Sequence, residues 1–159
     1  MPNVSVGSIV MPHVRRFIAM VVLMGFFSSL FGCSKGDDAP RFVTEAAFQQ
    51  NLAKQNEMSP MTLAELRKFG VAESKSLKLE FFFYTDTQAK AQSLATALKS
   101  LQYDAQAQPA AGNVQQFVIT GWSTPIQMSE SEVVSWTDKM CRTGFEHDAE
   151  FDGWGTSPE

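Results

Sequence analysis

The sequence predicts an α+β domain in which a four-stranded antiparallel sheet carries two helices on one face and is preceded by N-terminal helices. Two observations lead to this class. Residues 77–84 and 145–152 alternate between two kinds of side chain, as half-buried strands do. Two helical stretches, 88–101 and 130–144, each follow a capping pattern. Strands and helices therefore follow one another closely and share one core.

Residues 1–32 have the features of an export signal. Two arginines precede an apolar run, 17–31, which is shorter than the roughly 20 apolar residues of a membrane-spanning helix. The run leads into LFGC, which resembles the lipobox of bacterial lipoproteins and implies that Cys33 is lipidated after cleavage. Ser34 then favours the outer membrane over the inner one. The alternative is an uncleaved helix that holds the chain in the inner membrane.

Cleavage before Cys33 leaves 127 residues, which fits one domain and a tether. We assign 33–41 to the lipidated cysteine and tether. The signal contains two of the 13 basic residues and none of the 17 acidic ones, so its removal changes the net charge from −4 to −6. Such an acidic domain is a poor ligand for phosphates, and nucleic acid is not expected as a partner. Cys141 is expected to be buried, with a Cys33–Cys141 disulfide as the alternative.

The first elements are predicted to be helical. Apolar periodicity predicts a helix over 42–55, and Pro60 is expected to open a second one that ends at Gly70. Together they form a helical appendage, 42–70, before the domain proper, 71–159.

The next stretch, LKLEFFFY, predicts a strand whose odd-numbered residues face the core and whose Phe82 and Tyr84 face the other way. Thr85 and Gln88 form a capping box for the following helix, whose apolar face is Ala91, Leu94, Ala95, Leu98 and Leu101.

The second half completes the pattern. Strands are predicted over 103–108 and 114–122, joined by a turn at 109–113, and Ser129 with Glu132 caps a helix that ends at Gly144. This helix is expected to bury Val133, Trp136, Thr137 and Met140. The order βαββαβ is that of a ferredoxin-like fold, which places the last strand at a sheet edge beside the first.

The candidate binding residues lie on the first and last strands. Phe82 and Tyr84 are predicted to emerge on the open face of the sheet, and aromatics surrounded by charge are typical of protein-binding surfaces. The alternative is that the N-terminal helices cover them. The last strand is expected to present a row of carboxylates that protects the edge from aggregation, namely Glu146, Asp148, Glu150 and Asp152. His147 is expected to face the core.

The sequence predicts no catalytic residue, no metal ligand and no cofactor. Cys141 has no partner histidine in a nucleophile motif, and no glycine lies in a phosphate-binding loop. No small-molecule ligand is expected.

Four stretches together resemble one family: TLAELRKFGV, EFFFYTD, LQYDA and AEFDGWGT. They are similar to the regulator of ribonuclease E activity B (RraB) family over roughly residues 62–156. The sharpest motif is Phe151, Asp152, Gly153, Trp154 and Gly155. The resemblance implies a ferredoxin-like domain that acts by binding proteins without catalysis, as the founding member does when it inhibits the endoribonuclease.

Three functional hypotheses follow. The first is a lipid-anchored, exported protein-binding domain with an unknown protein partner in the cell envelope. The second is an exported enzyme or small-ligand carrier with a cleft between the N-terminal helices and the sheet. The third is a cytoplasmic ribonuclease regulator, if the signal is not used. The closing motif is expected to be folded, with Trp154 packed back over the sheet.

Overall fold

A computed structural model describes residues 40–157, apart from the side chains of residues 113 and 114. Residues 1–39, with the predicted signal and Cys33, lie outside the described part. The described chain is α+β, with three helices and two antiparallel sheets. Its elements are α1 (Glu45–Lys68), β1 (Ser76–Leu77), β2 (Glu80–Thr85), α2 (Gln88–Ser100), β3 (Asp104–Ala110), β4 (Asn113–Trp122), β5 (Ile126–Gln127), α3 (Glu130–Glu146) and β6 (Glu150–Gly155).

The main sheet has four strands in the order β3-β4-β2-β6, and every neighbouring pair is antiparallel. The short strands β1 and β5 form a separate two-stranded sheet. As predicted, the last strand lies at an edge beside the first strand of the main sheet. The predicted strand over 77–84 is divided in two. Its first part, β1, pairs with β5, whereas its second part, β2, pairs with β4.

The core lies between one face of the main sheet and the helices. Phe81 and Phe83 of β2 are fully buried, whereas Phe82 and Tyr84 are half-buried on the opposite face. The two helices after β2 bury the residues that the sequence predicts, with Leu101 half-buried at the end of α2. Alternation in β2 and helical periodicity in α2 and α3 were therefore reliable signals of the core face.

The N-terminal helix differs from the prediction. One continuous helix, α1, replaces the two predicted helices and contains Pro60 in its interior. An interior proline costs a helix about 3 kcal/mol because it has no N–H to donate and crowds the preceding turn. Ser59 and Leu63 on either side of it are buried, so packing against the rest of the domain outweighs this cost.

Two boundaries around α2 and β3 also differ. Thr87, and not Thr85, caps α2, since its side chain accepts a hydrogen bond from the Lys90 amide. Thr85 is the last residue of β2 and donates instead to the carbonyl of Asp148 at 2.8 Å. The predicted turn at 109–113 is shorter, because β3 continues through Pro109 to Ala110.

The predicted strand over 145–152 is wrong in its first half. Helix α3 continues to Glu146, His147 ends it, and Asp148 turns the chain with a left-handed φ of 55°. Strand β6 begins only at Glu150. Asp, like Asn, tolerates this left-handed conformation better than most residues. Glu146 and Asp148 are consequently on a helix end and a turn, and the predicted row of four carboxylates does not exist.

Helix α1 protects the β6 edge in place of that row. The side-chain amides of Asn51 and Gln55 both donate to the main-chain carbonyl of Phe151, at 2.8 and 3.3 Å. An edge strand exposes unpaired backbone groups that can recruit another chain. The two side-chain amides satisfy the Phe151 carbonyl, and α1 packs against β6, the strand that carries it.

Candidate functional site: the open face of the sheet

The face of the main sheet opposite the helices, here called the open face, is formed by cross-strand rows of side chains. Residues that pair across an antiparallel sheet point to the same side, so the register defines each row. The first row is Asp104, Trp122 and Glu80. The second is Gln106, Thr120 and Phe82, and the third is Gln108, Val118, Tyr84 and Glu150.

Trp122 is the most exposed aromatic residue on this face. It is 36% exposed, and its direct cross-strand neighbours are Asp104 on β3 and Glu80 on β2. Such neighbours have Cβ atoms about 5 Å apart, within reach of an indole ring. An exposed indole therefore lies between two carboxylates.

Tyr84 lies in a second acidic environment four residues further along β2. Its cross-strand neighbour is Glu150, and the register of β6 shifts between Phe82 and Phe83, next to Asp152. Burial and the charge of Asp152 raise the pKa of Tyr84 above its ordinary value. Burial and Asp152 also raise the pKa of Glu150, which Lys54 partly offsets. Asp152 is therefore close to both residues.

Two shallow depressions lie beside Trp122. The larger has a volume of about 320 Å³ and is also lined by Leu77, Pro125 and Thr156. The smaller, of about 280 Å³, lies toward Asp104 and Gln102. Lys78 lines both depressions and is the only basic residue among their lining residues.

Helix α1 packs against α3 and the β6 edge. Phe48 of α1 stacks on Phe145 of α3 with ring centroids 4.4 Å apart. This position of α1 disagrees with the alternative in which N-terminal helices cover Phe82 and Tyr84. Gln55 and Ser59 on the inner side of α1 are buried and hydrogen-bond to the Phe151 carbonyl of β6 and the Thr137 hydroxyl of α3.

The five-residue motif at the end of the chain forms β6 itself. Phe151 is 1% exposed and packs against Phe83, with ring centroids 5.0 Å apart. Gly153 has a φ of 125°, which side chains rarely adopt, at the irregularity of the strand. The half-buried Trp154 donates from its indole N–H to the Ser59 hydroxyl at 3.0 Å. Phe151 and Trp154 are therefore parts of the core and of the contact with α1.

The part of the chain that contains the open face matches a known protein family. The family model described as "Regulator of ribonuclease activity B" matches residues 56–156, which is most of the chain and includes the open face and the motif. The chain belongs to the RraB family. This confirms the resemblance that the sequence motifs indicated. Membership implies a regulatory, non-catalytic role. A search of curated proteins found no match to this chain.

In this RraB-family domain, Asp148 is a structural residue. One carboxylate oxygen accepts from the Val43 amide at 2.9 Å and the other from the Phe42 amide at 3.0 Å and Lys90 Nζ at 2.7 Å. Arg41 Nε lies 3.5 Å from the first oxygen. Partial burial alone would raise the pKa of Asp148, but the hydrogen bonds from Lys90, Val43 and Phe42 lower it to about 2. Asp148 fixes the start of the compact unit to the end of α3.

The other predicted residues have separate places in the structure. His147 is half-buried and hydrogen-bonds through Nδ1 to the Ser93 hydroxyl at 2.9 Å, so its predicted core position is wrong. Glu146 is exposed at the end of α3. Cys141 is buried as predicted, and burial raises the pKa of its thiol to about 12. A thiol with so high a pKa is not a nucleophile at neutral pH.

Sequence reasoning missed Trp122 and Asp104 on the open face, and it placed Glu80 on that face without predicting that it lies beside Trp122. They become neighbours only through the register of β2, β3 and β4. The sequence has a partial signal in Gly121, where an added Cβ would lie 1.6 Å from the carbonyl oxygen of Asp104. A glycine inside a strand often marks such a close backbone approach.

The described part was also searched for membrane-spanning helices and for metal-ligand groups. Among residues 40–157, no helix combines the length and apolar character needed to cross a membrane. The same residues include no group of three or more His, Cys, Asp or Glu side chains able to hold a metal ion.

Proposed function

We propose that this RraB-family chain is a non-catalytic regulator that binds a protein partner through the open face of its sheet. The observation that carries the proposal is the position of Trp122, Phe82 and Tyr84 on a sheet face that α1 leaves uncovered. Large aromatics are enriched at the centre of protein interfaces, and the rim around them is polar. Membership of the family favours regulation by binding over catalysis.

We also infer that the domain has a ferredoxin-like fold. The support is the chain order of the main-sheet strands with α2 and α3, which is βαββαβ. The spatial order β3-β4-β2-β6, with all pairs antiparallel, agrees with this class. In this fold, the face opposite the helices is available for a partner.

A pull-down of the tagged full-length protein tests the binding face. Phe82→Ser with Tyr84→Ser should lose the partner, because it removes apolar contact area from the middle of the open face. Met61→Ser with Phe69→Ser is the matched control, since these side chains are 63% and 60% exposed on and just after α1. The control variant should retain the partner. If both double variants capture the same proteins as wild type, the open face is not the binding surface.

We propose that the chain is exported and anchored by lipid at Cys33, with the outer membrane favoured over the inner one. The support is the basic and apolar pattern before LFGC and the serine after it. Residues 34–40 would reach about 25 Å when extended. They lead to Arg41, which Asp148 holds beside the end of α3.

Labelling with a radioactive fatty acid tests the anchor. The wild-type chain should incorporate the label and fractionate with membranes, and Cys33→Ser should do neither. Cys141→Ser is the matched control because that cysteine is buried. Label on Cys33→Ser would contradict lipidation at this position.

A second candidate function is cytoplasmic regulation of a ribonuclease, favoured by the family match alone. It requires that the signal is not used. Recovery of the wild-type chain in the cytosol, together with capture of an endoribonuclease, would support it. Recovery only in the envelope fraction would contradict it.

A further inference from the structure

Building on the proposed function, we infer that the partner binds as an extended segment with two arginines four residues apart and an apolar residue midway between them. The inference rests on the repetition of one arrangement on the open face. An aromatic ring lies among carboxylates at Trp122, with Asp104 and Glu80, and again at Tyr84, with Glu150 and Asp152.

The spacing of the two clusters determines the spacing of the arginines. Glu80 and Tyr84 are four residues apart on β2, or about 14 Å at roughly 3.4 Å per residue. Phe82 lies between them on the same face. In an extended segment alongside β2, every second side chain faces the sheet. The first residue of the segment then lies over Glu80, next to its β4 neighbour Trp122, and the third and fifth lie over Phe82 and Tyr84.

The chemistry of each cluster favours arginine over lysine. A guanidinium can stack on an indole or phenol ring and donate two hydrogen bonds to an adjacent carboxylate at the same time. A lysine ammonium binds as a point charge and lacks the planar stack. Beside Trp122, the two carboxylates of Glu80 and Asp104 outnumber the one lysine that lines the depressions there, Lys78. At the second cluster, Lys54 lies near Glu150. The third residue of the segment meets the half-buried Phe82 and is therefore apolar.

Selection from a displayed library of random 12-residue peptides tests the inference without knowledge of the natural partner. The purified full-length protein is the bait, and peptides that also bind Trp122→Ala are discarded. The retained peptides should be enriched in arginine over lysine, at positions four residues apart with an apolar residue between. No enrichment in arginine, or no Trp122-dependent binder, would overturn the inference.

One selected peptide, synthesised with arginine or with lysine at both positions, then gives affinities by fluorescence anisotropy. Trp122→Ala and the arginine-to-lysine change should each weaken binding roughly fivefold or more. Glu80→Gln, which preserves shape, should also weaken it, whereas the exposed Glu146→Gln on α3 should not. If the arginine and lysine peptides bind equally, or if Glu80→Gln and Glu146→Gln weaken binding equally, net charge alone explains the affinity. Either result would overturn the inference.

The outcomes also separate this inference from the proposed function. Selected peptides that depend on Phe82 and Tyr84 but lack arginine would overturn the arginine motif and leave the open face as the binding surface. A natural partner that still binds Phe82→Ser with Tyr84→Ser would overturn both.

Discussion

Removal of the Trp154 side chain tests whether the end of the chain holds the domain together. Trp154 is half-buried against the core, and its N–H donates to Ser59 Oγ at 3.0 Å. Ser59 Oγ lies 2.9 Å from the hydroxyl of Thr137 on α3. The indole thus connects β6 to α1 and, through Ser59, to α3. We expect Trp154→Ala to loosen all three elements.

The magnitude follows from burial and hydrogen bonding. Truncation of a fully buried tryptophan costs about 3–5 kcal/mol, and half of that value, about 2 kcal/mol, suits a half-buried ring. The lost hydrogen bond adds about 1 kcal/mol. Trp154→Ala should therefore lower the free energy of unfolding by about 3 kcal/mol. Trp154→Phe keeps most of the ring and loses the N–H, so its cost should be nearer 1 kcal/mol.

Urea denaturation followed by far-ultraviolet circular dichroism measures these changes without dependence on tryptophan fluorescence. Trp122→Ala is the comparison, because that indole lies on the open face at 36% exposure, and its removal should cost less than that of Trp154. A Trp154→Ala midpoint equal to that of wild type would refute the argument. So would equal losses for Trp154→Ala and Trp122→Ala.

Three further predictions concern stability. Asp148→Asn should lower the free energy of unfolding by about 2 kcal/mol at pH 7, since the folded-state pKa of about 2 lies below the unfolded value. This stabilisation is complete above roughly pH 5 and is lost as the pH falls through about 2. The urea midpoints of Asp148→Asn and wild type should therefore converge near pH 2. The control variant Glu146→Gln should have the wild-type midpoint over the whole pH range. Gly121→Ala should cost about 3 kcal/mol or more, or prevent folding, because its Cβ would overlap the carbonyl oxygen of Asp104; an unchanged melting temperature would contradict the register of β3 and β4. Thr120→Val should stabilise by about 1 kcal/mol, because the Thr120 hydroxyl is buried without a partner; a lower melting temperature would show that the hydroxyl is satisfied.

The parts of the fold that the sequence predicted well depend on local periodicity. Alternation placed Phe81 and Phe83 in the core, and Ser129 caps α3 as the capping pattern indicates, by accepting from the Glu132 amide. Pro60 shows where local reasoning fails. Its helix-breaking tendency is a property of the local chain, whereas the burial of Ser59 and Leu63 that outweighs it depends on elements far away in the sequence.

The candidate site was predicted in part for the same reason. Phe82 and Tyr84 follow from the alternation of one strand, and the structure places both on the open face. Trp122 required the pairing of β4 with β2, and a shift of one residue in that register would have turned it to the core. No pattern within β4 alone fixes this register.

The stretch EHDAEFD shows why a correct period can still give a wrong element. Its polar residues recur at every second position, yet they occupy a helix end at Glu146, a left-handed turn at Asp148 and a strand from Glu150. The partners that hold the Asp148 carboxylate, the amides of Phe42 and Val43, are more than 100 residues away. Hydrogen bonds and charge from those partners and Lys90 outweigh the preference for regular alternation. Asp148 therefore anchors the fold from a turn, and only Glu150 and Asp152 of the predicted row belong to strand β6.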